Sequence, residues 1–519
     1  MRNTYILVVI IATLYIPLAC LDYNHFPYSD GAEHGAAVRE LAKNLVHPVD
    51  PMLANHPGDS PRFVPSIVVM ALFMKLLHLD VLVILKMLST VYFFLFLLAA
   101  ALFSREYFND AGQVPWSVAS LLFLWGSGWT GANAYMFSAL LYTAYFPSVV
   151  SFSLALLALY FQLRFLHNNK KRFLVAQTLL GSITFVNHPL TGVFFFICSG
   201  LLYLEKKGFD HKSLAPYALS VAAALVVITL WPYYSLFANL LKIATGEMAG
   251  TSDYQSTQHY LYAKFLVRSG PALLGIPCIL LFIKQKRFLM LVGGFVIFSL
   301  IYLIGYTFRI SLTERFVFFI MFSLQLSASR LCREWLSPLP LQQDPKKIIA
   351  SFLVCLILLG MIIQSVFVGT KFIAPAFAFK PGSTFPTYVT PNAMQLGLKN
   401  YLSDRDVVLS DIYSSWSLPV YTGAKIIALF HTSPHVNDNV ERIEDVETFY
   451  ASSTTCEARR NILKKYGVTH IYLNFLTAGE DIKSTLKEMG FPIVARSKDF
   501  CLFSIPPPTG NDSTPGKGT

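Results

Sequence analysis

Two carboxylates and a histidine lie within five residues near the start of the chain. The segment Ser29–Asn44 contains Asp30, Glu33 and His34, whose spacing places them on one face of a helix. Carboxylates and histidine can take a proton from a hydroxyl group, so we predict a catalytic cluster here. The same spacing also fits a capping box, in which Asp30 and Glu33 only satisfy free amide groups at the helix start.

The composition indicates which elements must hold this cluster. Hydrophobic residues make up 54% of the 519 residues, charged residues make up 14%, and the mean hydropathy is +0.51. These values exclude an ordinary soluble protein and predict a polytopic α-helical membrane protein whose surroundings are a lipid bilayer. The net charge of +11 is divided among short basic connectors between apolar runs. That pattern is typical of membrane topology rather than nucleic-acid binding.

The basic connectors define a topology. Four of them are assigned to the cytoplasm: 167–172, 205–212, 284–287 and 330–347. The apolar run 5–20 is interpreted as a retained first membrane helix with a cytoplasmic N-terminus, and parity then gives about eleven crossings. Val64 to Leu79 is short and contains Lys75 and His78, so we expect it to lie along the membrane surface. The first external loop then covers residues 21–79, within a transmembrane domain of residues 1–370.

Beyond residue 370 the pattern changes to that of a small α/β domain, 371–505, outside the cytoplasm. Alternating buried strands and amphipathic helices are its signature. Strands are predicted at 404–410, 425–430 and 468–473, helices at 439–450, 456–466 and 482–489, and a hairpin-like run at 491–505. A Pro- and Gly-rich tail, 506–519, is predicted to be disordered.

The two cysteines of this domain predict a disulfide. Cys456 opens a helix and Cys501 lies on the last strand, in a compartment where thiols oxidise. The alternative is a pair of buried thiols.

Several segments together resemble one family. They are Asp406–Asp411, Tyr421–Lys425, His431–His435, Glu447–Tyr450 and Arg459–Tyr472. With the helix-rich first part, these segments resemble the GT-C-type glycosyltransferases that use polyprenyl-phosphate sugars, a superfamily of dolichyl-phosphate-mannose-protein mannosyltransferases and aminoarabinose-transferase-like enzymes. The resemblance implies an inverting hexosyl- or pentosyltransferase of the cytoplasmic (inner) membrane. Its acceptor would be a glycan, lipid or protein on the outer face.

The resemblance also bears on the acidic cluster. Family members have an essential aspartate early in the first external loop, which Asp30 matches. The commonest form has adjacent Asp and Glu, whereas here Glu33 and His34 follow at a distance. We interpret Asp30 as the base, with Glu33 or His34 orienting it or binding the acceptor. A carboxylate pair could also hold a divalent metal, but further acids at ligand spacing are missing, so no cofactor is favoured.

Outward-facing cations are candidates for the donor phosphate, whose departing charge needs stabilisation. Arg309 and Arg315 flank one short connector and could form a fork around a lipid phosphate. Their alternative role is to reach lipid headgroups. Lys264 and Arg268 are second candidates, in a loop of lid-like length.

Other residues are predicted to contact substrate. They are His56 and Arg62 in the first loop, His188 between two helices, and the aromatic Trp129 and Tyr145. The alternatives are a packing role for His188 and an interfacial belt for the aromatic residues. Two other functions also fit a polytopic chain: a transporter or flippase for a lipid-linked glycan, and a non-catalytic envelope-glycan assembly protein. The absence of an internal repeat and the gathering of charges at one face favour the enzyme.

Overall fold

The computed structural model describes residues 11, 15–16, 27, 30–58, 60–126, 135–209, 211–238, 241, 261–263, 265–310, 312–336, 360, 362–363, 397–429, 436–475, 481–497 and 499–506. The chain divides into two compact units. Unit 1 draws its residues from Met1–Tyr28, Val64–Met70 and Leu82–Lys380, and unit 2 from Ser29–Phe63, Ala71–Val81 and Pro381–Thr519. Residues from both sides of the boundary predicted at 370 therefore share unit 2.

Helices dominate the described residues. They are α1 Gly31–Lys43, α2 Pro65–Leu77, α3 Val81–Phe108, α4 Gln113–Phe123, α5 Phe137–Thr143, α6 Pro147–Asn168, α7 Lys171–Asn187, α8 Pro189–Lys207, α9 His211–Thr229, α10 Phe265–Ser269, α11 Gly275–Gln285, α12 Leu289–Phe308, α13 Val317–Leu336, α14 Ile412–Ser415, α15 Leu418–Thr422, α16 Asn439–Tyr450, α17 Cys456–Tyr466 and α18 Asp481–Glu488. Short 3-10 helices, Gly270–Leu274 and Thr313–Phe316, precede α11 and α13.

Within the described ranges, six helical stretches are long and apolar enough to cross a membrane. They are α3, α6, α8, the run Phe265–Gln285, α12 and Thr313–Glu334. The first and last predicted crossings, 5–20 and 348–370, lie largely outside the described residues. Helix α2 has 13 residues, and about 20 are needed to span the hydrocarbon core. Helix α2 is therefore shorter than a membrane span.

Unit 1 has an aromatic core between its long helices. The ring of Phe152 on α6 stacks on Tyr135 with centroids 4.5 Å apart, and it contacts Phe194 of α8 and Phe322 of α13 at 5.4 and 5.5 Å. A buried amide joins three helices nearby. Asn187, at the end of α7, donates to the carbonyl of Pro147 and accepts from the amide of Ser66. These contacts fix the point where α7 turns into α8.

Unit 2 contains a five-stranded sheet in the order β2-β1-β3-β5-β4. The strands are β1 Val407–Leu409, β2 Lys425–Ile426, β3 His470–Asn474, β4 Ile493–Arg496 and β5 Phe500–Ser504. Strand β1 is parallel to β2 and β3, while β5 is antiparallel to β3 and β4. The first loop extends this sheet, because Ile426 donates to the carbonyl of Met52 and Ala54 donates to the carbonyl of Ile426.

The two faces of the sheet are covered differently, as the two-residue period of a strand requires. On β5, Cys501 and Phe503 lie in the core formed with α16, α17 and α18, whereas Leu502 lies in the core formed with Ala36 of α1 and Trp416. Helix α1 of the first loop therefore packs on one face of the C-terminal sheet.

The predicted disulfide is wrong. Cys456 and Cys501, both among the described residues, form no disulfide bond. Cys456 is exposed at the first position of α17, whereas Cys501 is fully buried at the second position of β5. One side chain faces solvent and the other faces the core, so the two sulfur atoms cannot bond without moving the helix or the strand.

Candidate functional site

The predicted acidic cluster lies at the start of α1 in unit 2. Asp30 occupies the residue before the helix, but its side chain makes no capping hydrogen bond. Glu33 and His34 are both 5% exposed, whereas Asp30 is partly exposed. The cluster thus contains two buried groups and one carboxylate that solvent can reach.

Both oxygens of Glu33 have partners. The indole Nε1 of Trp416 donates to Oε1 at 2.8 Å, and the guanidinium of Arg62 forms an ion pair with Oε2. A capping box would require Glu33 to bond the backbone amide of Asp30. The side chain bonds two other residues instead, so the capping alternative does not describe this helix start.

Arg62 is electrostatically coupled to both acids. Burial opposes the charge of its guanidinium, but the attraction of the Glu33 carboxylate, followed by that of Asp30, outweighs burial and raises the pKa of Arg62. Arg62 is therefore a permanent cation beside the two acids. All three residues lie in the segment 21–79, which the sequence predicts to be the first external loop.

Charged side chains in the second half of α1 contact the C-terminal part of unit 2. Arg39 donates from Nε to the carbonyl of Val420 at 2.7 Å. Nζ of Lys425 on β2 lies 2.9 Å from Oε2 of Glu40, and Lys43 pairs with Asp404 at 3.0 Å. The partly buried contacts of Arg39 and Glu40 hold α1 against α15 and against β2, at two points beyond Glu33.

His56 has a structural environment in this unit. Its Nδ1 lies 3.3 Å from the carboxylate of Asp50 and 3.1 Å from the carbonyl of Pro57. The hydrogen bond to Asp50 is the main cause of a raised pKa for His56. Asp50 in turn accepts from the amides of Met52 and Leu53. The pair fixes the turn that leads into the sheet edge.

A second group of predicted residues lies in unit 1. The cavity there is lined by Tyr135, Ser148, Phe152, His188, Leu190, Thr191, Arg315, Phe318 and Phe319. Its lining is largely apolar, with His188 and Arg315 as its basic groups. The structure thus brings together two residues that lie 127 positions apart (315 − 188) in the sequence.

His188 is the residue before α8, and its side chain caps that helix. Its Nδ1 accepts from the amide of Thr191 and lies 2.8 Å from the Thr191 hydroxyl. Burial, followed by the charge of Arg315, lowers the pKa of His188 to about 3. Since Nδ1 accepts, the ring proton is on Nε2, which makes that nitrogen a hydrogen-bond donor.

Arg315 and Arg309 have different environments. Arg315 lines the cavity, and its Nε lies 3.7 Å from a carboxylate oxygen of the buried Glu314. Arg309 is exposed at the end of α12, in the left-handed region with φ of 54°. Only Arg315 of this predicted fork lines the cavity with His188.

The remaining candidates divide into three cases. Arg268 is buried, and its backbone carbonyl accepts from the amide of Gly126 at 2.7 Å. Tyr145 is fully buried, with its ring 5.0 Å from Phe146, which places it in the interior rather than at a binding surface. Lys264 and Trp129 lie outside the described residues, as does the segment 431–435.

Sequence reasoning missed two partners of the acidic helix, Trp416 and Lys425. A tryptophan between two predicted strands and a lysine at the start of a predicted strand carry no local sign of a carboxylate partner. Each partner is more than 380 positions from its glutamate. Only pairing information across the whole chain could have found them.

Several solved structures have a fold similar to that of this chain. ArnT from Cupriavidus metallidurans, solved with bound undecaprenyl phosphate, has a TM-score of 0.58 and 13% identity over 96% of this chain and 97% of that chain. The oligosaccharyltransferase of Archaeoglobus fulgidus has a TM-score of 0.57 and 12% identity over 93% and 71%. The arabinofuranosyltransferase AftD from Mycobacteria has a TM-score of 0.56 and 10% identity over 98% and 40%.

No family model and no curated protein sequence matches the chain. At identities of 10–13%, the likeness to the solved structures concerns the fold. It covers nearly all of this chain in each comparison. The chain therefore has the fold of the GT-C glycosyltransferases.

Proposed function

We propose that the protein is an integral membrane glycosyltransferase. It takes a sugar from a polyprenyl-phosphate carrier and transfers it to a hydroxyl group of a glycan, lipid or protein on the outer face of the cytoplasmic membrane. The fold supports this proposal, and the ArnT structure of the same fold holds undecaprenyl phosphate. In the proposed topology the N-terminus is cytoplasmic and the C-terminal sheet lies outside.

The arrangement at the start of α1 carries the proposal. Glu33 is held by Trp416 and Arg62, which leaves it poorly suited to accept a proton from a substrate. Asp30 is partly exposed and does not cap the helix. A carboxylate that precedes a firmly held helix turn and is reachable from solvent has the properties of a general base.

In the proposed reaction, the acceptor oxygen attacks the anomeric carbon of the sugar. The bond between that carbon and the phosphate oxygen breaks, and its electron pair leaves with the polyprenyl phosphate. The hydroxyl proton passes to the carboxylate of Asp30. A single displacement of this kind inverts the anomeric configuration, in agreement with the expectation from the family resemblance.

The cavity of unit 1 supplies groups suited to a phosphate. The guanidinium of Arg315 offers a permanent charge and a planar set of donors, and Nε2 of His188 offers one further donor. Both line the same largely apolar cavity. Charge-assisted donors in such surroundings bind phosphate more strongly than neutral donors do. We therefore assign Arg315 and His188 to the phosphate of the lipid carrier.

The test replaces Asp30 by Asn in the full chain and measures sugar transfer in membranes that contain the native lipid-linked donors. Loss of a general base should lower the rate by about 10²- to 10⁴-fold. Glu441→Gln is the matched control, because its side chain lies on α16 at the surface and is 63% exposed. Unchanged envelope glycans in cells that carry only Asp30→Asn, with glycans lost in the deletion strain, would contradict the assignment of the base.

A further inference from the structure

Two neighbouring carboxylates can hold a divalent cation, because hard cations prefer oxygen ligands. The contacts of Asp30 and Glu33 decide whether these side chains can act as metal ligands. A metal ligand needs oxygen lone pairs that are directed at the cation and are not already committed to other donors.

The contacts of Glu33 do not fit that requirement. One oxygen accepts the indole proton of Trp416 at 2.8 Å, and the other forms the ion pair with Arg62. The Glu33 side chain is only 7% exposed, so it is enclosed together with these two donors. A divalent cation on Glu33 would have to displace one donor and would then lie beside the guanidinium, where like charges repel.

The charge of Arg62 also reaches Asp30, whose attraction is the second favourable contribution to the charged state of the guanidinium. One arginine thus serves two acids. In the described part of the chain, no group of three His, Cys, Asp or Glu side chains comes together as metal ligands.

We propose that Arg62 takes the place of a divalent cation beside Asp30 and Glu33, and that sugar transfer at this site proceeds without a metal ion. The second clause rests on the proposed function, whereas the first concerns the charge arrangement alone. Arg62 is a positioning residue: it holds Glu33 and gives Asp30 a fixed positive neighbour.

Manganese binding tests the proposal directly. The full chain in lipid nanodiscs, freed of metal with a chelator, is titrated with Mn²⁺ and followed by electron paramagnetic resonance. The wild type and Asp30→Asn/Glu33→Gln are expected to bind the same number of Mn²⁺ ions. One additional Mn²⁺ per chain in the wild type would overturn the proposal. Asp30→Asn alone is compared in the same way if the double variant does not fold.

Thermal unfolding gives a second, independent test of the ion pair. Arg62→Met keeps the length of the side chain but leaves Glu33 charged and enclosed, so its Tm should fall by about 5 °C. Arg62→Lys should recover part of this loss. Adding Glu33→Gln to Arg62→Met should raise the Tm again, because the uncompensated charge is removed. Independent, additive effects of the two substitutions would contradict the proposed coupling.

These measurements separate the inference from the proposed function. Neither uses sugar transfer, so an inactive protein with the expected Mn²⁺ and Tm results would retain the charge arrangement and lose the catalytic assignment. A transferase whose rate falls with the chelator and returns with Mn²⁺ would retain the proposed function and overturn the metal-free reaction.

Discussion

The indole nitrogen of Trp416 lies 2.8 Å from a carboxylate oxygen of Glu33, although 383 positions separate the two residues in the chain. Both side chains are buried. The contact joins the start of α1 to the turn between α14 and α15, and with Arg62 it determines how the first turn of α1 is held. Asp30 immediately precedes that turn.

Trp416→Phe is expected to weaken both stability and sugar transfer. It removes the donor to Glu33 and leaves a buried oxygen without a hydrogen bond, which costs about 1–3 kcal/mol. The Tm of the full chain and the rate of transfer should both fall, with a larger effect on kcat than on KM because the base is displaced. Tyr401→Phe is the control, since Tyr401 is 51% exposed in the same unit. Equal behaviour of the two variants would remove Trp416 from the positioning of α1.

Arg315→Met is expected to weaken binding of undecaprenyl phosphate by about 10- to 100-fold, because a hydrogen bond to a charged group contributes about 1.5–3 kcal/mol. Binding is measured with the detergent-solubilised chain by native mass spectrometry. Arg309→Met is the matched control, because Arg309 is exposed at the end of α12. A larger loss for the control than for Arg315→Met would assign the phosphate to Arg309.

His56 should make stability depend on pH in a defined direction. Its folded-state pKa is raised, chiefly by the hydrogen bond to Asp50. The protonated form is therefore stabilised on folding. This contribution is complete below the ordinary histidine pKa of about 6.5 and is lost as pH rises through the folded value.

The measurement compares the Tm of the wild type and His56→Asn at pH 6 and at pH 8.5. The wild type should lose about 1–3 °C more than the variant over this range. His47→Asn is the control, because His47 is exposed on the same loop. Parallel pH profiles for wild type and His56→Asn would show that the Asp50 contact does not govern this titration.

Local sequence signals predicted much of the C-terminal fold. The helices α16 and α17 have the predicted bounds, Asn439–Tyr450 and Cys456–Tyr466. For α17 the reasons are visible at its ends: the Thr455 side chain accepts from the amide of Ala458, and Gly467 adopts a φ of 65°. Such ends depend on residues within one turn, so a single sequence contains the information.

Long-range pairing was beyond the same reasoning. A strand was predicted at 425–430, whereas β2 covers only Lys425–Ile426. The length of β2 depends on its pairing with β1 and with Met52 of the first loop, which a local pattern does not show. The disulfide prediction failed because the sequence showed which elements carry Cys456 and Cys501 but not which way each side chain faces. The candidate site shows the same difference between local signals and long-range pairing. Asp30 was predicted from its spacing and stays a prediction, whereas Trp416 became apparent only from the fold.

The pairing of the first loop with the C-terminal sheet also determines when the site can form during biosynthesis. Residues 52–54 join the edge of β2, and Glu33 and Glu40 receive donors from Trp416 and Lys425. The ribosome adds Trp416 and Lys425 only after it has synthesised the long helices of unit 1. A nascent or truncated chain that ends before β1 therefore has α1 without its partners. The acidic helix therefore gains these contacts only after β1 and β2 have been synthesised, which makes the candidate chemistry dependent on the C-terminal sheet.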